Sequence, residues 1–199
     1  MAPLKICRKF DDESIYNANG IIAGNGWIRS YDWKPLKKKL NAMYVILIVI
    51  SVIFINILKR QYPEFNKTEF IRAVLFALFT FIFVITPVHE VLHLVGFTRN
   101  FFGNNSYIIL SIGAVSAFYA GEVSRKKLCF SLILPFVAIA AVIVAAIVFT
   151  TGNTLYFLFC LLWCHTLGSS SDIYMFFYYC FSKKFSSRTR IFGIRYLNK

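Results

Sequence analysis

Charge is what this chain of 199 residues has least of: only 16% of it is Asp, Glu, Lys or Arg, and only nine residues are acidic. Soluble domains carry about 25% charged residues. A chain that is 58% hydrophobic and 18% aromatic has more apolar surface than a domain of this length can bury. The shortage therefore excludes an ordinary soluble fold. Cysteine is scarce and odd in number, with four of five (Cys129, Cys160, Cys164, Cys180, but not Cys7) in or beside apolar runs. A thiol behaves there as a small hydrophobe, so no disulfide framework is expected. Residues 1–41 lack an uninterrupted apolar core, because Lys5, Arg8, Lys9, Asp11, Asp12 and Glu13 break it. No cleavable signal peptide is expected there, and the first span is expected to direct insertion.

The apolar residues themselves are gathered in long runs. Ala42 to Leu58, Phe70 to Phe97, Leu128 to Phe149 and Leu155 to Phe181 each approach or exceed the roughly 20 helical residues that cross a hydrocarbon core. The expected fold is an all-α membrane protein of about four transmembrane helices. Tyr107 to Tyr119, rich in Ile, Val, Phe and Tyr and interrupted by Gly113, reads as a short β-hairpin or re-entrant element between the second and third. The formal net charge of +13 comes from Lys and Arg at the edges of apolar runs, with eight before residue 42 and six after Phe181. That distribution fits lipid headgroups and retention of both termini in the cytoplasm, and argues against nucleic acid. The domain reading is an N-terminal cytoplasmic region (1–41), a four-span membrane domain (42–181) and a basic cytoplasmic tail (182–199). Asn17–Gly20 and Gly24–Gly26 supply turn signals in the first of these.

All three histidines, together with Glu90 and Asp172, fall inside the expected spans. An ionised carboxylate at mid-membrane costs about 2.5–3.5 kcal/mol even on the gentler insertion scale, so such residues need a partner or a task. His89 and His93 are four apart in His89-Glu90-Val91-Leu92-His93, which on a helix puts both imidazoles on one face at the spacing that grips a single zinc. Glu90, turned about 100° away, is poorly aimed at the same ion. Its carboxylate is instead suited to take the proton of a water that the metal activates. A catalytic zinc wants a third protein ligand and an open position, and His165 and Asp172 are the candidates. Counted back from the cytoplasmic ends of their spans, His89, His93 and Asp172 lie 8, 4 and 9 residues in, a common depth of roughly 6–14 Å. Depth favours Asp172 as the third metal ligand. His165, roughly 10 Å deeper, suits a supporting or substrate-polarising role. Gly168-Ser169-Ser170-Ser171 are small enough to let helices approach closely. Cys160 and Cys164 share the i, i+4 spacing but lack a histidine or acid at their level on another span.

Thr86-Pro87-Val88-His89-Glu90-Val91-Leu92-His93, Leu134-Pro135-Phe136 and Gly168-Ser169-Ser170-Ser171-Asp172 resemble, in that order, the bacterial membrane family of putative zincin peptidases. More distantly they are similar to the site-2 proteases. The resemblance covers Phe70 to Phe181. It implies zinc as cofactor, His89, His93 and Asp172 as ligands, Glu90 as catalytic base, and Pro135 as a residue that shapes the third span. The chain lacks the Asn-Pro-Asp-Gly-type signature that site-2 proteases carry around their third ligand.

Two functions are then expected to compete. One is a zinc metallopeptidase that hydrolyses peptide bonds of a peptide or membrane protein near the cytoplasmic face, with the substrate held extended along an edge strand from 107–119. The other is a non-catalytic membrane regulatory or immunity protein with a structural metal, for which a closed site with His165 as fourth ligand would be the mark. A proton or cation relay through His165, Asp172 and Glu90 is weaker, since four spans leave little room for alternating access.

Overall fold

The computed structural model describes residues 5–7, 28–29, 33–61, 67–97, 105–111, 114–185, 189–192 and 195–197. Its elements run β1 (Lys5–Cys7), β2 (Ile28–Arg29), α1 (Trp33–Gln61), α2 (Lys67–Thr80), a π-helical turn (Phe81–Ile85), α3 (Thr86–Phe97), β3 (Ser106–Ser111), β4 (Ala114–Tyr119), β5 (Val123–Ser124), α4 (Arg125–Val148), α5 (Asn153–Gly168), α6 (Ser170–Phe181), β6 (Arg190–Phe192) and β7 (Arg195–Leu197). The Asn17–Gly20 and Gly24–Gly26 turn signals lie outside the described residues.

Among the described residues, Lys67–Phe97 and Arg125–Val148 are long and apolar enough to cross a membrane, at 31 and 24 residues. At 1.5 Å per residue both exceed a hydrocarbon core of about 30 Å. Asn41–Ile53 and Thr154–Gly168 are shorter apolar helices. Along α1, Val45, Ile46, Ile48, Val49 and Ile50 are all exposed, as are Leu75, Phe76 and Phe79 on α2 and Val142 and Val148 on α4. Exposed large apolar side chains in such number suit lipid rather than water.

Two expectations need correction. The fourth apolar stretch is not one helix: α5 ends at Gly168 and α6 begins at Ser170, with Ser169 between them. The Ser170 hydroxyl bonds the Leu167 carbonyl at 2.6 Å and Ser169 N–H reaches the His165 carbonyl, so small hydroxylated residues close the junction locally. The fold is also not all-α. β1 pairs parallel to β3, which pairs antiparallel to β4, and β2, β7, β6 and β5 form a second, antiparallel sheet. The hairpin expected at 107–119 is present, with Ser106 opposite Tyr119 and Ser111 opposite Ala114.

The described residues divide into two compact units, one of Met1–Asp32, Pro87–Pro135 and Met175–Lys199, the other of Trp33–Thr86 and Phe136–Tyr174. In the second, the buried Ala73 and Ala77 let α2 pack on α5. Phe70 meets Tyr156 edge-on, Phe76 meets Phe157, and the Trp163 indole N–H donates to Ser51 Oγ at 2.7 Å. In the first, Val123, Leu128, Cys129, Tyr179, Phe185 and Ile191 form the core. Arg125 closes it by donating Nε to the Tyr179 carbonyl (2.7 Å), Nη1 to that of Phe185 (2.6 Å) and Nη2 to that of Cys180. The last carbonyls of a helix have no partner of their own, so one guanidinium caps the end of α6 from the start of α4. Arg125→Ala is expected to destabilise the protein by about 2–4 kcal/mol in detergent melts. Arg125→Lys recovers less than half of that, because an ammonium cannot fork to three acceptors.

Candidate metal centre

The helix carrying HEVLH is shaped from its own sequence. Pro87 has no N–H, and its ring crowds the carbonyl four residues back. The chain answers with the π turn immediately upstream, where Thr86 N–H bonds the Phe81 carbonyl and Thr86 Oγ1 adds a second bond to it at 2.9 Å. α3 then restarts with Pro87 in its first turn, where the missing donor costs little. His89, His93, Leu94 and Gly96 are buried.

His89 and His93 stand one turn apart with their rings edge-to-face, centroids 4.8 Å apart, and their Nε2 atoms 3.1 Å apart. His93 Nδ1 lies 2.9 Å from the carbonyl oxygen of Ser131. A carbonyl only accepts, so Nδ1 carries the proton and Nε2 presents its lone pair, the form that binds a metal. The Ser131 hydroxyl returns a bond to the His93 carbonyl at 2.8 Å. Gly96 makes the clasp possible: a Cβ there would sit 2.5 Å from Ser131 Cα.

Why the Ser131 carbonyl is available follows from Pro135. In α4 the carbonyl of residue 131 would ordinarily accept the N–H of residue 135, and Pro135, inside that helix, has none to give. His93 supplies the missing donor. Pro135→Ala is therefore expected to return that carbonyl to its own helix and to weaken zinc binding about 10- to 100-fold in a chelator competition. Ser131→Ala, which keeps the carbonyl, weakens it less. Equal affinity in wild type and Pro135→Ala would contradict this role.

Glu90 is half-buried, and its Oε2 accepts the backbone N–H of Ala117 at 2.6 Å. The ligand atoms of His89, Glu90 and His93 all lie within 4.8 Å of one another. Two metal–nitrogen bonds of about 2.0–2.1 Å meeting at a tetrahedral angle set their nitrogens roughly 3.3–3.4 Å apart. The 3.1 Å between the two Nε2 atoms is within a few tenths of that, and two neutral imidazoles with a nearby carboxylate suit zinc. The residues present fit the ion.

A family model described as "Putative zincin peptidase" matches residues 82–186, just over half of the chain. The chain belongs to this family. No curated protein and no solved structure matches it. The family match spans the HEVLH helix, the β3–β4 hairpin, Pro135 and both helices around Ser169. A zincin peptidase agrees with the chemistry of the His89–Glu90–His93 group.

The remaining expected site residues stand on the other compact unit. His165 is fully buried near the end of α5, stacked on Phe136 at 5.9 Å, with Ser169 Oγ 3.4 Å from its Nδ1. Asp172 lies in the first turn of α6, where the helix dipole favours a negative charge. The seven-residue count from His165 to Asp172 runs across the Ser169 junction. Three functional groups escaped the sequence reading: the Ser131 carbonyl, Gly96 and the Ala117 N–H. Only Ser131 left a trace, four residues before a proline in a helix.

Proposed function

We propose that this member of the zincin peptidase family is a membrane-embedded zinc metallopeptidase that cleaves peptide bonds of a peptide or membrane-protein substrate near the cytoplasmic face. The observation that carries the reading is the convergence of His89 Nε2 and His93 Nε2 at 3.1 Å beside Glu90, with the proton of His93 fixed on Nδ1 by Ser131. His89 and His93 would hold zinc, and Asp172 is proposed as the third ligand. Zinc bound there supplies Lewis-acid chemistry, acidifying water and polarising a carbonyl. Glu90 takes a proton from the attacking water as oxygen bonds to the carbonyl carbon. It returns that proton to the departing nitrogen as the C–N bond breaks, leaving a carboxylate and an amine. His165 is proposed to orient or polarise the substrate.

The four-span arrangement with both termini on one side draws support from the second sheet, and the Lys and Arg at both ends favour the cytoplasmic side. Its strands come from before α1 (β2), between α3 and α4 (β5) and after α6 (β6, β7). Strands that share a sheet share a side of the membrane, so each chain segment between them must cross an even number of times. Two crossings before β5 and two after it satisfy this, with lipids as the surrounding partner and nucleic acid no part of the function. The test is hydrolysis of a labelled membrane-protein substrate by the purified protein in nanodiscs, with the Glu90→Gln variant alongside. Cleavage that the variant matches would remove Glu90 as the base, and no cleavage by either protein would favour a structural metal.

A further inference from the structure

β4 is the outer strand of its sheet among the described residues. The Ala120 N–H bonds the Asn105 carbonyl, and Phe118 stands opposite Tyr107. In an antiparallel pair the residues bonded to the partner strand alternate, so the even-numbered positions 114–120 turn their backbone toward β3. Val115, Ala117 and Tyr119 turn theirs away. The outward N–H of Ala117 is the one that Glu90 Oε2 accepts at 2.6 Å. Phe97 at the end of α3 stacks on Tyr119 at 5.7 Å and 14°, so the same helix meets the same strand at a second point.

We infer that Glu90 is latched to the edge strand in the resting protein, and that an extended main chain pairing with β4 must take the Ala117 N–H from it. This rests on the peptidase reading and adds its regulation. A peptide strand added to an open edge uses the outward donors and acceptors of alternate residues, and the Ala117 donor is already engaged. Pairing therefore displaces the carboxylate from β4 beside His89 and His93, where a peptide bond would lie. Substrates that cannot present an extended backbone leave the latch in place. The structure thus ties the choice of substrate to the readiness of the base.

The coupling has an unusual consequence: removing Glu90 should tighten peptide binding. A hydrogen bond to a charged group is worth enough that its release changes an equilibrium about 10- to 100-fold. The experiment measures binding of a fluorescein-labelled hexapeptide of alternating Val and Thr to full-length, zinc-free protein in nanodiscs, by anisotropy. Glu90→Ala is expected to bind at least 10-fold more tightly than wild type. The same peptide N-methylated along its pairing edge should bind weakly and alike to both. Ala117→Pro removes the N–H without touching the bonds to β3, and the effect of Glu90→Ala should vanish in that background. If that variant does not fold, faster hydrogen exchange of the Ala117 amide in Glu90→Ala serves instead.

Equal affinity of wild type and Glu90→Ala, equal tightening of the N-methylated peptide, or no binding by either protein would overturn the latch. So would a peptide affinity that falls as protein concentration rises, since that marks two copies paired through β4. The failures are separable. A protein that loses hydrolysis in Glu90→Gln but shows no affinity change in Glu90→Ala keeps the peptidase reading without the latch.

Discussion

Hydrolysis by the Glu90→Gln variant is expected to fall about 10²- to 10⁴-fold, the contribution of one positioned acid–base group, while zinc content stays at the wild-type level. The exchange keeps size and shape, and the amide oxygen of glutamine still accepts the Ala117 N–H that Glu90 Oε2 accepts now. His89 and His93, with the Ser131 contacts behind them, are untouched. What disappears is the ability to take a proton from water and hand it to the leaving amine. Parallel measurement of hydrolysis and of zinc per chain separates this loss from loss of the ion. A fall in both would move Glu90 from base to ligand.

The second large effect belongs to the histidines, and the two should differ. His89→Ala and His93→Ala each remove one of two converging nitrogens. Zinc binding is expected to weaken in both by at least about 100-fold, since outer partners alone are worth 10–100-fold. Only His93→Ala also strips the donor from the Ser131 carbonyl, whose helical partner position is Pro135. A buried acceptor left unsatisfied costs about 1–3 kcal/mol. Zinc-free His93→Ala should therefore melt below zinc-free His89→Ala. Equal melting would mean that Pro135 and Ser131 do not set the imidazole.

How much of this was legible in the sequence depends on whether the signal was local. HEVLH was legible because helical periodicity alone puts residues 89 and 93 on one face. The hairpin was legible because 107–119 combines β-formers with a central glycine. The junction at Ser169 was not, because apolar residues continue on both sides and two short helices read as one long run. The second sheet was invisible for another reason. Ile28–Arg29 pairs with Arg195–Tyr196 across most of the chain, and backbone pairing between such short segments leaves no pattern in either. The Ala117 N–H is a backbone group that every residue but proline carries, so residue identity says nothing of its bond to Glu90. Gly96 and Ser131 matter through close approach, which shows only when α3 and α4 are in place.

The zinc centre is most directly tested by X-ray absorption at the zinc edge on the purified protein, wild type against Asp172→Ala. One zinc per chain is expected, with two imidazole nitrogens and oxygen ligands at about 2.0–2.2 Å, and loss of one oxygen in the variant. No stoichiometric zinc, a spectrum unchanged by Asp172→Ala, or a third imidazole from His165 closing the site would contradict it.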